Sequence, residues 1–192
     1  AFRDAWRNRT EDRVFYTGRT VTDSDEYLRR LLRDYSCVLL WNKLYRREIF
    51  DGIFFEEGHK IDDEYFIYLG FLKDRKVVFD DRIIYNYRQR ASSVMNSPAA
   101  AHQRLLDKLD VLQKRRKVVL AQRPQLKKDY DGMYLDSLWC LSRDPGNTEE
   151  TLQQIRQLLR QYILTFGNTF PPRYLWGLLW DLWGSSPAQL LE

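Results

Sequence analysis

Trp41-Asn42-Lys43-Leu44-Tyr45-Arg46-Arg47-Glu48-Ile49-Phe50, then Asp62-Asp63-Glu64, then Tyr85-Asn86-Tyr87-Arg88-Gln89-Arg90-Ala91-Ser92-Ser93 are the most informative segments of this chain. Val38-Leu39-Leu40-Trp41 leads into it and reads as a buried strand or a helix entry. Lys43 to Phe50 reads as a short helix stopped by Asp51-Gly52. Phe54-Phe55-Glu56-Glu57-Gly58 is a loop. Asp62 can cap a helix to about Lys73, with Tyr65, Leu69 and Leu72 on one face. Lys76 to Phe79 and Ile83 to Arg88 are β-branched or aromatic runs joined by Asp80-Asp81, which predicts a hairpin.

Upstream, Ala1 to Thr22 is polar and irregular, with Val14-Phe15-Tyr16 as a short strand. Asp23-Ser24-Asp25-Glu26 opens a helix, because a capping side chain and early acids suit its positive end. Leu28, Leu31, Leu32 and Tyr35 follow at helical spacing. Ala91 to Pro98 is a polar linker, and the chain beyond it turns helical. Leu105, Leu109, Leu112 and Val119 form one stripe, and Leu126, Tyr130, Met133, Leu138 and Leu141 a second. Thr148 caps a third helix, whose apolar face runs through Leu152, Ile155, Leu158, Leu159, Tyr162, Ile163 and Phe166. Gly167 to Pro172 breaks it, and Arg173 to Trp183 is a short aromatic helix.

At 192 residues, with 44% hydrophobic and 30% charged residues, the chain can bury a proper core and is not disordered. No apolar run is long enough to cross a bilayer, and no signal peptide is visible. Cys37 and Cys140 sit in apolar settings and read as buried free thiols, with a disulfide between them as the alternative. No cysteine or histidine cluster has metal-ligand spacing. The net charge of +4 is too small to argue for nucleic acid. The charge is uneven, however. Asp51 to Glu64 holds six acids and one lysine, whereas His102 to Lys128 holds nine basic residues and two acids.

Taken in this order, the motifs W-N-K-L-Y-R-R, F-x-E-G, an acidic pair before a helix and Y-x-Y-R-x-R with a serine resemble the second half of a family 2 glycosyltransferase of the GT-A type. The resemblance is strong over roughly residues 36 to 95 and faint beyond. It implies an α+β fold, predominantly helical: a partial GT-A-like α/β segment over 1–95, the acceptor-side half, and a C-terminal helical region over 96–192. It also implies inverting transfer from a nucleotide-sugar donor to a saccharide or cell-envelope polymer acceptor. The nucleotide-binding half, with its Asp-x-Asp motif for Mn²⁺ or Mg²⁺, is not in this chain. Asp23-Ser24-Asp25 has the letters but opens a helix with no buried strand before it, so the isolated chain is expected to be inactive and to hold no metal.

An acceptor hydroxyl needs a carboxylate to take its proton as it attacks the anomeric carbon. A helix N-terminus aims a carboxylate and favours its charged form. From the residues alone, Asp62 caps and Asp63 and Glu64 decorate the first turn; the resemblance makes Asp63 the base, with Asp62 and Glu64 supporting it. Asp62 stands where the family usually has Glu. The resemblance also implies that Trp41 stacks on an acceptor sugar and that Asn42 and Lys43 bond its oxygens. Trp41 reads equally as core; Leu44 and Tyr45 read as core. Arg88 and Arg90, on one side of a strand, can fork onto the donor diphosphate, and Ser93 can close over it; a solvated strand end is the alternative.

The second function these residues allow is a non-enzymatic helical module. Its basic run Lys114-Arg115-Arg116-Lys117 would meet an anionic partner, or the tryptophans of Tyr174 to Trp183 would lie at a membrane surface. The solvated face and simple packing are the plainer readings of these two features. The expected location is cytoplasmic, with peripheral contact at the inner face of the membrane if those tryptophans seek it.

Overall fold

The computed structural model describes residues 2–6, 9–13, 19–73, 76–82, 85–88 and 100–166. The strand expected at Val14-Phe15-Tyr16, the linker at Ala91 to Pro98, the break at Gly167 to Pro172 and the aromatic helix at Arg173 to Trp183 lie outside those residues, as do Arg90 and Ser93. The fold is predominantly helical with a minor β component. In chain order it comprises β1 (Phe2–Trp6), β2 (Arg9–Arg13), β3 (Thr20–Thr22), α1 (Ser24–Arg30), α2 (Tyr35–Val38), a 3₁₀ turn (Arg47–Phe50) and α3 (Asp62–Phe71). There follow β4 (Val77–Phe79), β5 (Asn86–Arg88), α4 (Ala101–Gln122), a 3₁₀ turn (Pro124–Leu126), α5 (Lys127–Ser142) and α6 (Glu149–Phe166). Two compact units divide the chain, Ala1–Met133 and Tyr134–Glu192.

In the first unit the strands pair at long range. β1 pairs antiparallel with β2, from Phe2↔Arg13 to Trp6↔Arg9, and parallel with β5, through Asp4↔Tyr87. β3 pairs antiparallel with β4, through Val21↔Val78. The hairpin expected across Asp80-Asp81 is therefore not formed: β4 and β5 belong to different sheets. Asp80 instead closes on Arg82, accepting its backbone N–H at 3.0 Å and its Nε–H at 2.8 Å. The first segment, expected to be irregular, supplies three strands.

α3 is the centre of this unit. Its apolar residues surround the helix, so Tyr65, Phe66, Ile67, Tyr68 and Phe71 are all buried, whereas a single face was expected. α1, α2, the first 3₁₀ turn and α4 all pack on it. Tyr27 of α1 stacks on Phe71 with ring centroids 3.7 Å apart, and its hydroxyl donates to the Cys37 carbonyl at 2.6 Å. Val119, Leu126 and Tyr130 belong to the same core, which ties α4 and the start of α5 to α3. Gly70 is needed here: a Cβ would lie 2.5 Å from Phe50 Cε1, so the bare backbone admits that ring.

Helix starts follow local chemistry. Asp23 Oδ1 accepts the Glu26 N–H at 2.8 Å, as a cap should. Asp62 does not cap α3: Ile61 is the N-cap and bonds with no side chain, while all three acids lie inside the first turn. The early end of Lys43–Phe50 stays extended, because Arg46 has β-region angles and the helical turn begins only at Arg47.

In the second unit, Thr148 Oγ1 accepts the Thr151 N–H at 3.2 Å and starts α6 as expected. Ile155, Leu159 and Tyr162 are buried on its inner face, and the Tyr134 and Tyr162 rings lie 5.5 Å apart. Cys37 and Cys140 are both free thiols; Cys37 is buried, but Cys140 is exposed, contrary to expectation. Among the described residues no helix is long and apolar enough to cross a membrane.

Candidate functional site

Asp63 lies in the first turn of α3, half-buried, between an exposed Asp62 and a buried Glu64. Its Oδ2 accepts the Leu40 N–H at 3.1 Å, and among the described residues no other hydrogen bond engages the carboxyl. Oδ1 is thus left for other work. Burial pushes the Asp63 carboxyl above its usual range, with the Asp62 and Glu64 charges adding to it; the Leu40 amide and Lys43 pull the other way.

The Leu40 peptide is gripped from both ends. Its carbonyl accepts the Tyr45 hydroxyl at 3.2 Å, and the Tyr45 ring meets Phe50 edge-on at 5.0 Å. Tyr45 is thus partly core and partly a clamp on the peptide that holds Asp63. Leu44, expected in the core, is 93% exposed. Trp41, the next residue after Leu40, packs its ring on Tyr85 at 4.6 Å and 31°. Tyr85 immediately precedes β5, so Asp63, Leu40, Trp41 and the strand that carries Arg88 are gathered in one neighbourhood of one unit.

Lys43 and Asn42 face inward. Lys43 Nζ donates to the Ser36 carbonyl at 2.7 Å, to Asn42 Oδ1 at 2.6 Å and to the Leu39 carbonyl. Asn42 Nδ2 donates to the same Ser36 carbonyl at 3.0 Å. Carbonyls at the end of a helix lack intrahelical partners, and α2 is only four residues long. These side chains supply the missing donors and fix the turn from α2 into Leu40. The bonds to sugar or phosphate oxygens expected of them would have to replace these. Burial lowers the Lys43 pKa to about 8, while the charges of Cys37, Asp34 and Asp63 partly restore it. Three acceptors need three protons, so this geometry uses the ammonium.

Glu64 points to α4. Its Oε1 takes the Lys108 ammonium at 2.5 Å and its Oε2 the Arg115 guanidinium at 3.4 Å, with Arg115 only 3% exposed. The expected support from Glu64 is therefore mechanical: it pins α3 to α4. The basic run on α4 is largely spent in the same way. Lys114 pairs with Glu56 at 2.8 Å, and Arg116 with Asp131 at 2.6 Å. No signal in the periodicity could have separated Asp63 from Glu64; only the basic residues of α4 hint at it.

Among the described residues no cluster of three metal-ligating side chains exists. Glu64 is committed to cations and Asp63 to Leu40, so the acidic triplet does not converge on a divalent ion. Asp23 and Asp25 are likewise engaged, by the Glu26 amide and by Arg123 at 3.0 Å. A concavity lined by Glu26, Arg29, Arg30, Arg33 and Asp34 opens along α1, but its arginines are held by Glu26 and Asp129. No family model matches this chain, and no curated protein matches it in sequence.

Proposed function

We propose that this chain is the acceptor-side portion of an inverting GT-A type family 2 glycosyltransferase, with Asp63 as general base. The observation that carries the reading is the Asp63 carboxyl: one oxygen is held by the Leu40 N–H and the other is uncommitted among the described residues, while Trp41, the residue after Leu40, packs on Tyr85. An acceptor hydroxyl would give its proton to Oδ1 as its oxygen attacks the anomeric carbon. The bond from that carbon to the donor diphosphate breaks, and configuration inverts. Asp63 would have its pKa raised by burial, which makes it a better proton acceptor than an ordinary carboxylate.

Trp41 and Tyr85 would offer a ring surface to a saccharide or envelope-polymer acceptor. Arg88, Arg90 and Ser93 would serve the leaving diphosphate of the nucleotide sugar. Mn²⁺ or Mg²⁺ would be held by residues outside this chain, and no step here is routed through it. Such an enzyme would work in the cytoplasm or at the inner membrane face. The alternative module, binding an anionic partner through α4, is weakened by the pairing of Lys108, Lys114, Arg115 and Arg116 with carboxylates. The test is nucleotide-sugar turnover by the intact enzyme with Mn²⁺ or Mg²⁺. Asp63→Asn should slow transfer roughly 10²–10⁴-fold; near-normal turnover in that variant removes the assignment.

A further inference from the structure

Asp107, on α4, makes a set of bonds that the transfer chemistry does not use. Its side chain is 1% exposed. Oδ2 accepts the Lys60 N–H at 2.5 Å, while Oδ1 accepts Gln103 Nε2–H at 2.8 Å and lies 3.2 Å from His59 Nδ1. Burial alone would raise the Asp107 carboxyl, but the Lys60 amide, Gln103 and His59 together hold it below its usual range, so it stays ionised. An ionised carboxylate only accepts, so Nδ1 carries the proton, and the neutral ring makes this bond in full. Gly58, at φ +91°, turns the chain into the contact, and the His59 ring stacks on Tyr65 with centroids 3.8 Å apart. The Asp107 backbone takes part as well: its carbonyl accepts the Tyr65 hydroxyl at 2.9 Å.

One residue thus grips the chain on both sides of Asp63: His59 and Lys60 before it through the side chain, Tyr65 after it through the carbonyl. A helix start needs such a grip. The first N–H groups of a helix lack intrahelical partners, and a capping side chain ordinarily accepts one and holds the first turn in place. Ile61, the N-cap of α3, has no side-chain atom that can do this, and Asp62 lies inside the first turn. We propose that Asp107 does it from outside, as a positioning residue: by holding His59, Lys60 and Tyr65 it fixes the entry of α3, and so the direction from which Asp63 meets Leu40. The first turn then hangs between two supports. Asp107, together with Lys108 and Arg115 on Glu64, fastens it to α4. Asp63 Oδ2, on the Leu40 N–H at 3.1 Å, joins it to the turn after α2. Lys60 and Asp63 are three positions apart, so releasing the first support loosens the second. The part this plays in transfer rests on the reading of Asp63 as the base; the mechanical link from Asp107 to Leu40 does not.

Hydrogen exchange in the whole chain tests the link without turnover. Asp107→Asn keeps the volume but turns N–H donors on the donors around it, so at least one bond is lost. The Leu40 amide, whose partner is Asp63, should then exchange roughly tenfold faster. The Leu31 amide, bonded to the Tyr27 carbonyl at 2.9 Å, is the control and should not change. If Asp107→Asn does not fold, His59→Phe keeps a ring on Tyr65, removes the Nδ1–H, and should speed Leu40 exchange roughly threefold. In the intact enzyme, Asp107→Asn should lower kcat roughly tenfold and leave KM for the nucleotide sugar unchanged. An unchanged Leu40 amide in the variant that folds, or one that speeds no more than Leu31, overturns the positioning role whatever becomes of the transferase reading. So does an unmoved kcat in an enzyme that Asp63→Asn slows. A Leu40 amide that speeds selectively in an enzyme whose Asp63→Asn variant turns over normally upholds the link and removes the transferase reading instead.

Discussion

Two places on one helix turn behave in opposite ways. At Asp63 the one hydrogen bond among the described residues comes from a backbone amide, that of Leu40, whose carbonyl is clamped by Tyr45, and Lys43 acts only through its charge. At Glu64, one residue on, the carboxylate is buried and saturated by Lys108 and Arg115. The first carboxyl is strained toward its neutral form and keeps an acceptor among the described residues; the second is locked as an ion. A cluster of three acids is thus not one site. Helical rotation of about 100° per residue sends neighbours to different partners, and the partners decide which acid can do chemistry and which only holds the fold.

The comparison breaks most sharply at Glu64. Glu64→Ala leaves Arg115 buried without its counter-ion, and among the described residues Arg115 Nε already lacks a hydrogen-bond partner. A loss of about 3 kcal/mol in denaturant unfolding is expected; a loss under about 1 kcal/mol would mean the pair is not anchoring α3. Next is Gly70→Ala, where the new methyl meets the Phe50 ring at 2.5 Å. Overpacking should cost roughly 1–3 kcal/mol, read as a lowered denaturation midpoint. Tyr45→Phe removes the hydroxyl from the Leu40 carbonyl and should cost about 1 kcal/mol. In the intact enzyme it should also lower turnover, since Leu40 then holds Asp63 less firmly.

The smallest effect sharpens the comparison through pH. If Asp63 is the proposed base it must be ionised, so transfer should fail as pH drops through its raised pKa, above the ordinary carboxylate range. Lys43 holds the Leu39–Asn42 turn as an ammonium, so activity should decline again as pH climbs past about 8. Stability moves differently. Between the unfolded and folded values of Asp63 the folded chain binds more protons, so rising pH costs stability there. For Lys43 the folded chain binds fewer protons between about 8 and the ordinary lysine value, so rising pH gains stability there. Lys43→Met should abolish the alkaline limb of the rate profile; an unchanged limb would detach Lys43 from the site.

The sequence carried the helices well, because capping and periodicity are local. Asp23, Thr148 and the Leu105–Val119 stripe behave as their spacing predicts. The predominantly helical α+β character was legible for the same reason. Strand pairing was not: β1 with β5 and β3 with β4 join residues more than fifty positions apart, and nothing in Val77-Val78-Phe79 names Thr20–Thr22 as its partner. The motif residues gathered near Asp63 were visible as letters, but not their directions. Lys43 and Asn42 read as sugar-facing and turn out to serve the carbonyls of a four-residue helix. Leu44 read as core because it is leucine, yet the extended backbone before Arg47 leaves it in water. The His59–Asp107 contact was invisible, since it spans forty-eight residues between a loop and a helix face.

The central claim is that Asp63 is chemical and Glu64 mechanical. It is tested most directly by measuring turnover and thermal midpoint together for Asp63→Asn and Glu64→Ala in the intact enzyme. Asp63→Asn should lose roughly 10²–10⁴-fold in turnover and keep its midpoint, because asparagine can still accept the Leu40 N–H and no longer pays for burying a charge. Glu64→Ala should lose its midpoint first. Two variants that fall together, in both quantities and by similar amounts, would contradict the account.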